Sequence, residues 1–200
     1  MNDDQRSLLI IVSRLLDYPV QPINHFQKEF DELGAEMISS ERLKEDVKKR
    51  YEPLLNLSRR DIQELYVQTF DLKTNVNLYL TAYELGDSNY RGAALVRLQK
   101  MINEAGFERV SEDLADYIPM LLQFIAVTPS EGEFERLQKR IGVAVNYMKK
   151  QMEKDNPYTN IVALLTDYVF EKPSEKELKE LVAGQEEADL EELPYPIMYE

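Results

Sequence analysis

The chain contains no cysteine, no tryptophan, one histidine and only seven glycines in 200 residues. Each scarcity closes off some chemistry. Without cysteine there are no disulfides, thiol nucleophiles, iron–sulfur ligands or cysteine-based zinc sites. That composition fits a reducing compartment. The single histidine, His25, cannot supply the two Glu-x-x-His motifs of a di-iron bundle, and no Ser-His-Asp motif surrounds it. It reads as a partly exposed, uncatalytic side chain in a short N-terminal helix. The glycines are scattered singly, so no glycine-rich phosphate loop is present. The acids form no loop of EF-hand type, which leaves a magnesium-dependent helical enzyme without its ligand cluster. No metal and no cofactor is expected. No apolar run reaches the ~18 residues of a membrane span. The first residues, Met1-Asn-Asp-Asp4, are acidic where a signal peptide is basic. The expected location is the cytoplasm, without membrane insertion.

Basic residues are also in deficit. Lysine and arginine number 24 against 37 acids, a formal net charge of −13. Such a surface repels phosphate backbones and anionic membranes. It attracts a basic peptide or protein segment; it also serves plain solubility. The imbalance is strongest in residues 185–200, which hold six acids (Glu186, Glu187, Asp189, Glu191, Glu192 and Glu200) and no base.

What is present is helical pattern. Hydrophobic residues make up 44% of the chain, enough for a core. Leu8, Leu9, Ile11, Val12, Leu15 and Leu16 recur at helical spacing, with Asp3 or Asp4 as the cap, and the helix stops before Tyr18-Pro19. A second helix follows Pro22 through Ile23, Phe26 and Phe30 and ends at Gly34. Leu43, Val47, Tyr51 and Leu54 form one stripe of a third, which Pro53 ends or bends. Ser58-x-x-Asp61 has the spacing of a capping box and opens the helix carrying Ile62, Leu65, Tyr66, Thr69 and Phe70. Short helices are expected over Asn77–Leu85 and Tyr117–Val127. A long helix, capped by Ser88 or Asn89, closes at Gly106. Thr128-Pro-Ser-Glu131 has capping-box spacing with proline at the first helical position and predicts a helix to about Met152. Pro157 opens the next, to about Phe170. Ser174-x-x-Glu177 begins a last short helix to Val182. No strand alternation, internal repeat or linker interrupts this. The pattern predicts an all-α, single-domain bundle of about eight to ten helices over residues 1–184, followed by an acidic tail, 185–200, with a disordered composition.

The middle of the chain departs from plain helix. Arg91 sits in a first helical turn, where the dipole disfavours a cation. Gly92 beside it costs about 1 kcal/mol relative to alanine. Two adjacent violations imply a constraint from packing or binding. Either Arg91 pairs with Asp71, Asp87 or Asp116 while Gly92 lets two helices approach, or both serve a ligand. Six aromatics, Tyr66, Phe70, Tyr79, Tyr83, Tyr90 and Tyr117, crowd the same region. Helical spacing suits a core, but tyrosine is also enriched at binding surfaces. Asp116 is placed to cap the helix at Tyr117-Ile-Pro119. The candidate peptide-binding residues are Tyr66, Phe70, Tyr79, Tyr83, Asp87, Arg91, Asp116, Tyr117 and Pro119.

Those residues lie in a recognisable order: Tyr66-Val-Gln-Thr-Phe-Asp71, Leu78-Tyr-Leu80, Gly86-Asp-Ser-Asn-Tyr-Arg-Gly-Ala-Ala-Leu95, Ala105-Gly-Phe107, Leu114-Ala-Asp-Tyr-Ile-Pro119 and Leu121-Leu-Gln-Phe124. With Leu15-Leu-Asp-Tyr-Pro19 they resemble the cytoplasmic assembly chaperones of respiratory nitrate reductase, the NarJ type. Those belong to the redox-enzyme maturation chaperones that include TorD and DmsD. The resemblance runs over residues from about 5 to about 170 by the extent of the helical pattern. Ala115 stands where that family commonly has proline. The resemblance implies an all-helical, TorD-like fold with no catalytic residues. It implies a system-specific chaperone that binds the N-terminal segment of the apo catalytic subunit, a remnant of a twin-arginine signal. The client is then held competent for molybdenum cofactor and iron–sulfur insertion before membrane docking. Cofactor-delivery proteins are further implied partners. A sister client, a dimethyl sulfoxide or trimethylamine oxide reductase, is the alternative. For the tail, docking of Leu193-Pro-Tyr-Pro-Ile-Met-Tyr199 on the chain's own groove is a second expectation.

Overall fold

The most apolar helix lies at the centre of the molecule. Helix α8 (Ile118–Val127) buries Ile118, Pro119, Leu121, Leu122, Phe124, Ile125 and Ala126, so it is covered on nearly every side. In the computed structural model, which describes residues 1–73, 75–109 and 113–190, its main partner is α1 (Asp3–Leu15). Side chains are described for all of these except 33–35 and 184–190. The stripe Leu8, Leu9, Ile11, Val12 and Leu15 is buried as the periodicity requires. Arg6 of α1 donates to the carbonyls of Ala126 (2.5 Å) and Thr128 (2.9 Å), placing a cation on the unpaired carbonyl end of α8.

Around this pair the named elements among the described residues are all helices. α2 (Ile23–Glu29) continues through a π-helical turn, Phe30–Gly34, into the one-turn α3 (Ala35–Met37). α4 (Glu41–Leu55) follows, then α5 (Arg59–Tyr66) with a second π-helical turn, Val67–Asp71. α6 (Leu80–Leu85), α7 (Tyr90–Glu104), α8, α9 (Gly132–Gln151), α10 (Pro157–Tyr168) and α11 (Glu175–Leu190) complete the described bundle. α10 packs on α4, α1 and α9, and α11 on α6 and α9. Leu43, Val47, Tyr51 and Leu54 of α4 are all buried. Ten helices of six residues or more give the expected all-α bundle. The only β-type pairing among the described residues is a single antiparallel bridge, Tyr79 to Tyr117.

Capping motifs hold where both partners are local. Ser58 and Asp61 form the reciprocal box at α5, and Ser174 and Glu177 exchange the same bonds at α11. Four expectations about helix ends change. The second helix does not end at Gly34 but runs on through α3 to Met37. The cap of α1 is Asn2, reciprocated by Gln5; Asp4 instead accepts from the backbone N–H and hydroxyl of Ser39, tying α1 to the start of α4. α9 begins at Gly132, not Pro129, because Gly132 is left-handed (φ 58°) and a helix cannot run through it. α11 does not stop at Val182 but runs to Leu190. Residues 191–200, with Leu193–Tyr199, lie outside the described residues.

Close approach by glycine occurs at a position other than the one the sequence suggested. Gly92 is exposed and a Cβ there would meet nothing, so it lets no helix in. Gly142 of α9 is the contact: a Cβ would lie 3.2 Å from the Phe170 ring. Gly142→Val is expected to cost about 2 kcal/mol by overpacking, and Phe170→Leu in the same chain to recover part of it. Denaturant unfolding checks this; an unchanged midpoint for Gly142→Val contradicts it.

Candidate peptide-binding site

The site begins with a cap that crosses the chain. α6 has no capping side chain of its own; its N-cap residue, Tyr79, makes no such bond. Asp116 supplies it from 35 residues away. Its Oδ2 accepts from the Thr81 backbone N–H (3.1 Å) and from the Thr81 hydroxyl. A carboxylate at a helix N-terminus meets both free N–H groups and the positive end of the dipole. The expectation that Asp116 caps the helix beginning beside it is therefore corrected: α8 takes Tyr117 as N-cap, with no side-chain bond. Two backbone bonds fix the arrangement, Leu80 N–H to Asp116 O (2.9 Å) and Ile118 N–H to Leu78 O (2.8 Å). They hold Tyr79 extended (φ −121°, ψ 116°), so the helix expected from Asn77 starts only at Leu80.

Arg91 completes the cluster. Its Nε donates to the Thr81 hydroxyl (3.0 Å), and its terminal nitrogen lies 3.6 Å from Asp116 Oδ2. The offset helical cation is thus paired with Asp116 of the three candidate acids. Asp116 is fully buried, and its second oxygen, Oδ1, has no hydrogen-bond partner among the described residues. The Arg91 guanidinium also lies over the Tyr79 ring, 5.9 Å from its centre, a cation–π contact.

From Tyr79 an aromatic strip runs through the bundle and reaches the surface at its two ends, Tyr79 and Tyr18. Tyr79 packs on Tyr117 (5.6 Å between ring centres), whose hydroxyl shares a hydrogen bond with Tyr66 (3.1 Å) and donates to Asp17 (3.1 Å). Tyr66 packs on Phe70 and, edge to face at 5.3 Å, on Tyr18. Tyr18 is 44% exposed, Tyr79 half-buried, and Asp87 exposed. Tyr66, Phe70, Tyr117 and Pro119 are buried beneath them. Tyr83 lies apart: it is 1% exposed, its hydroxyl donates to the Asn77 carbonyl (2.7 Å) and accepts from the Asn77 N–H (2.8 Å). The structure thus joins Tyr66, Phe70, Tyr79, Arg91, Asp116 and Tyr117 in one network and places Tyr83 in the core behind it. Asp17, Tyr18 and Thr81 were missed by sequence reasoning. Asp17 and Tyr18 sit in Leu15-Leu-Asp-Tyr-Pro19, an exposed polar–aromatic pair right after a buried stripe, which was the available signal.

The electrostatics are acidic. Burial raises the Tyr79 hydroxyl above its ordinary value, and the charges of Asp113, Asp116 and Asp71 push it further. Burial likewise raises Asp71. Four carboxylates, those of Asp17, Asp71, Asp113 and Asp116, thus act on the tyrosines of the strip. Burial is also the main cause that lifts Tyr66, Tyr83, Tyr117 and Tyr158 well above 10.0. A folded-state value above the unfolded one means that this stability is complete below pH 10 and lost as pH rises beyond it. An alkaline titration should therefore show phenolate absorbance and helix loss rising together. Complete tyrosine ionisation with the helices intact contradicts the burial.

The residues Tyr66 to Pro119 fall inside a match, over residues 39–161, to the family described as nitrate reductase delta subunit. That match covers more than half of the chain. The chain belongs to the nitrate reductase delta subunit family. A relative in Bacillus subtilis, described as a probable nitrate reductase molybdenum cofactor assembly chaperone NarJ, is 25% identical over 166 residues, 82% of this chain and 90% of its own length. The Escherichia coli K12 nitrate reductase molybdenum cofactor assembly chaperone NarJ is 28% identical over 161 residues, 78% of this chain and 67% of its own. A second Escherichia coli K12 chaperone of that description, the probable NarW, is 30% identical over 84 residues, covering 42% and 36%. As a member of this family the chain shows, among its described residues, no helix able to cross a membrane and no group of three or more acids or histidines that could hold a metal.

Proposed function

We propose that the protein is a maturation chaperone for the catalytic, molybdenum-containing subunit of a nitrate reductase. It acts in the cytoplasm and binds the N-terminal segment of the apo subunit along the strip from Tyr18 to Arg91. The client is held there until its molybdenum cofactor and iron–sulfur cluster are in place. The observation that carries this reading is the pairing of exposed aromatic surface with converging carboxylates. Tyr18 and Tyr79 offer apolar faces, and Asp17, Asp71 and Asp113 an acidic rim, over a buried frame of Tyr66, Phe70, Asp116, Tyr117 and Pro119. A basic, amphipathic segment fits that chemistry: its apolar side lies on the rings and its cations meet the rim. Arg91 does not spoil the acidic field, because Asp116 neutralises it.

The test is copurification with the apo catalytic subunit, whole and lacking its N-terminal segment. The whole subunit is expected to be retained and the truncated one lost or strongly reduced. Equal retention of both overturns the role of the segment. Retention of a dimethyl sulfoxide or trimethylamine oxide reductase subunit in preference to the nitrate reductase subunit overturns the client assignment.

A further inference from the structure

Where the aromatic strip ends at Tyr18, a cavity of about 260 Å³ opens beside it. Its floor is core: Leu15, Leu54, Ile62 and Tyr158 line it, and all four are buried. Its outer wall is thinner. α2 contributes Ile23 and Phe26 to the lining but buries none of its seven residues. The connection from α1 to α2 closes the side. Pro19 and Pro22 keep it from continuing either helix, and the Gln63 amide fixes it by donating to the Pro19 carbonyl (3.0 Å). Tyr18 and Val20 stand at the mouth, Val20 being 57% exposed.

Tyr158 ties this cavity to the strip. Its ring packs on Tyr66 (6.0 Å) and Phe70 (5.0 Å), so both rest on one base. It is 1% exposed, yet its hydroxyl has no hydrogen-bond partner among the described residues. A buried tyrosine hydroxyl ordinarily has one. The charges at the mouth have a direction too. Arg14 pairs with Glu29 at 2.5 Å, and Glu29 also faces His25 at 3.4 Å. Asp17 is left as the one charged group of the lining without a counter-ion among the described residues. We propose that this cavity is the anchoring subsite for the client segment. It takes one large apolar side chain, the Tyr158 hydroxyl donates to a backbone carbonyl of the segment, and Asp17 meets a neighbouring cation. A preformed apolar pocket with a few convergent polar groups suits such an anchor, and the unpaired acid selects a basic segment over an acidic one. The inference rests on the reading of the strip as the client surface. It adds a requirement on the client: a large apolar residue close to a basic one.

The test is anisotropy of the labelled N-terminal client segment titrated with the full chain, beside thermal unfolding of each variant. Tyr158→Phe keeps the ring and is expected to leave the melting temperature unchanged, because no bond within the chain is lost, while weakening binding about fivefold. Ile23→Trp fills the cavity from its outer wall and is expected to weaken binding about tenfold. Val20→Ser, at an exposed position where the fold is not at stake, weakens it in the same direction. Changing the anchoring apolar residue of the segment to serine is expected to cost about tenfold against the parent chain and little against Ile23→Trp, since both changes empty the same contact. Undiminished binding by Tyr158→Phe overturns the subsite, and so does a serine replacement that costs the same against both chains. In either case the parent still binds the segment and the strip keeps its role. A segment that the parent does not bind removes that role and the subsite with it.

Discussion

Asp116→Ala is expected to lower stability by about 3 kcal/mol, because it removes a fully buried carboxylate from a paired site. At this chain length that corresponds to a fall in melting temperature of about 6 to 12 °C. Three losses coincide: the cap on α6, the bond to the Thr81 hydroxyl and the counter-charge of Arg91. Asp116→Asn is expected to cost less, since an amide oxygen still accepts from the Thr81 N–H. The pair can be isolated by a double-mutant cycle. Arg91→Ala alone leaves a buried charge without its partner and is expected to cost about 2 kcal/mol. In the Asp116→Asn background it should be close to neutral. Additive costs in that cycle would show that the ion pair is not what the cluster contributes.

Tyr83→Ala is expected to cost about 4 kcal/mol, in the range of large-to-small changes in a packed core. The ring is 1% exposed and meets Tyr147 edge to face at 6.0 Å, and its hydroxyl closes a two-bond clasp on Asn77. Tyr83→Phe keeps the ring and should cost about 1 to 2 kcal/mol for the two lost hydrogen bonds. Phe70, 3% exposed, behaves like Tyr83 on truncation. Weakened client binding by either alanine variant would therefore report unfolding as much as contact. Tyr18→Ala and Asp17→Lys, at exposed positions, are the informative probes of the surface. A thermal unfolding curve for Tyr83→Ala that overlays the parent contradicts its placement.

How far the sequence leads is visible at these same residues. Caps whose partners lie three residues apart, Ser58 with Asp61 and Ser174 with Glu177, are legible because the geometry is local. So are the buried stripes of α1 and α4, which follow the helical period. The cap on α6 is not, since Asp116 reaches it across 35 residues and its own position beside Tyr117-Ile-Pro119 suggests a nearer helix. For the same reason Asn77–Tyr79 reads as helix: the pairing of Leu78 and Leu80 with Ile118 and Asp116 keeps it out of one. The candidate list brought together most of one real network but could not separate layers. Tyr18 and Tyr83 are alike in sequence, yet one is 44% and the other 1% exposed. Exposure follows from which helices cover a face, and that is a property of the assembled bundle.

In the proposed function the aromatic and acidic strip recognises a basic N-terminal client segment. The direct measurement is fluorescence anisotropy of that segment, labelled because the protein has no tryptophan, titrated with the full chain beside a scrambled control. Saturable binding of the native segment alone is expected, weakened by salt and reduced about tenfold when Asp17 and Asp71 are both changed to lysine. Equal binding of native and scrambled peptides, or affinity unmoved by those two changes, would contradict it.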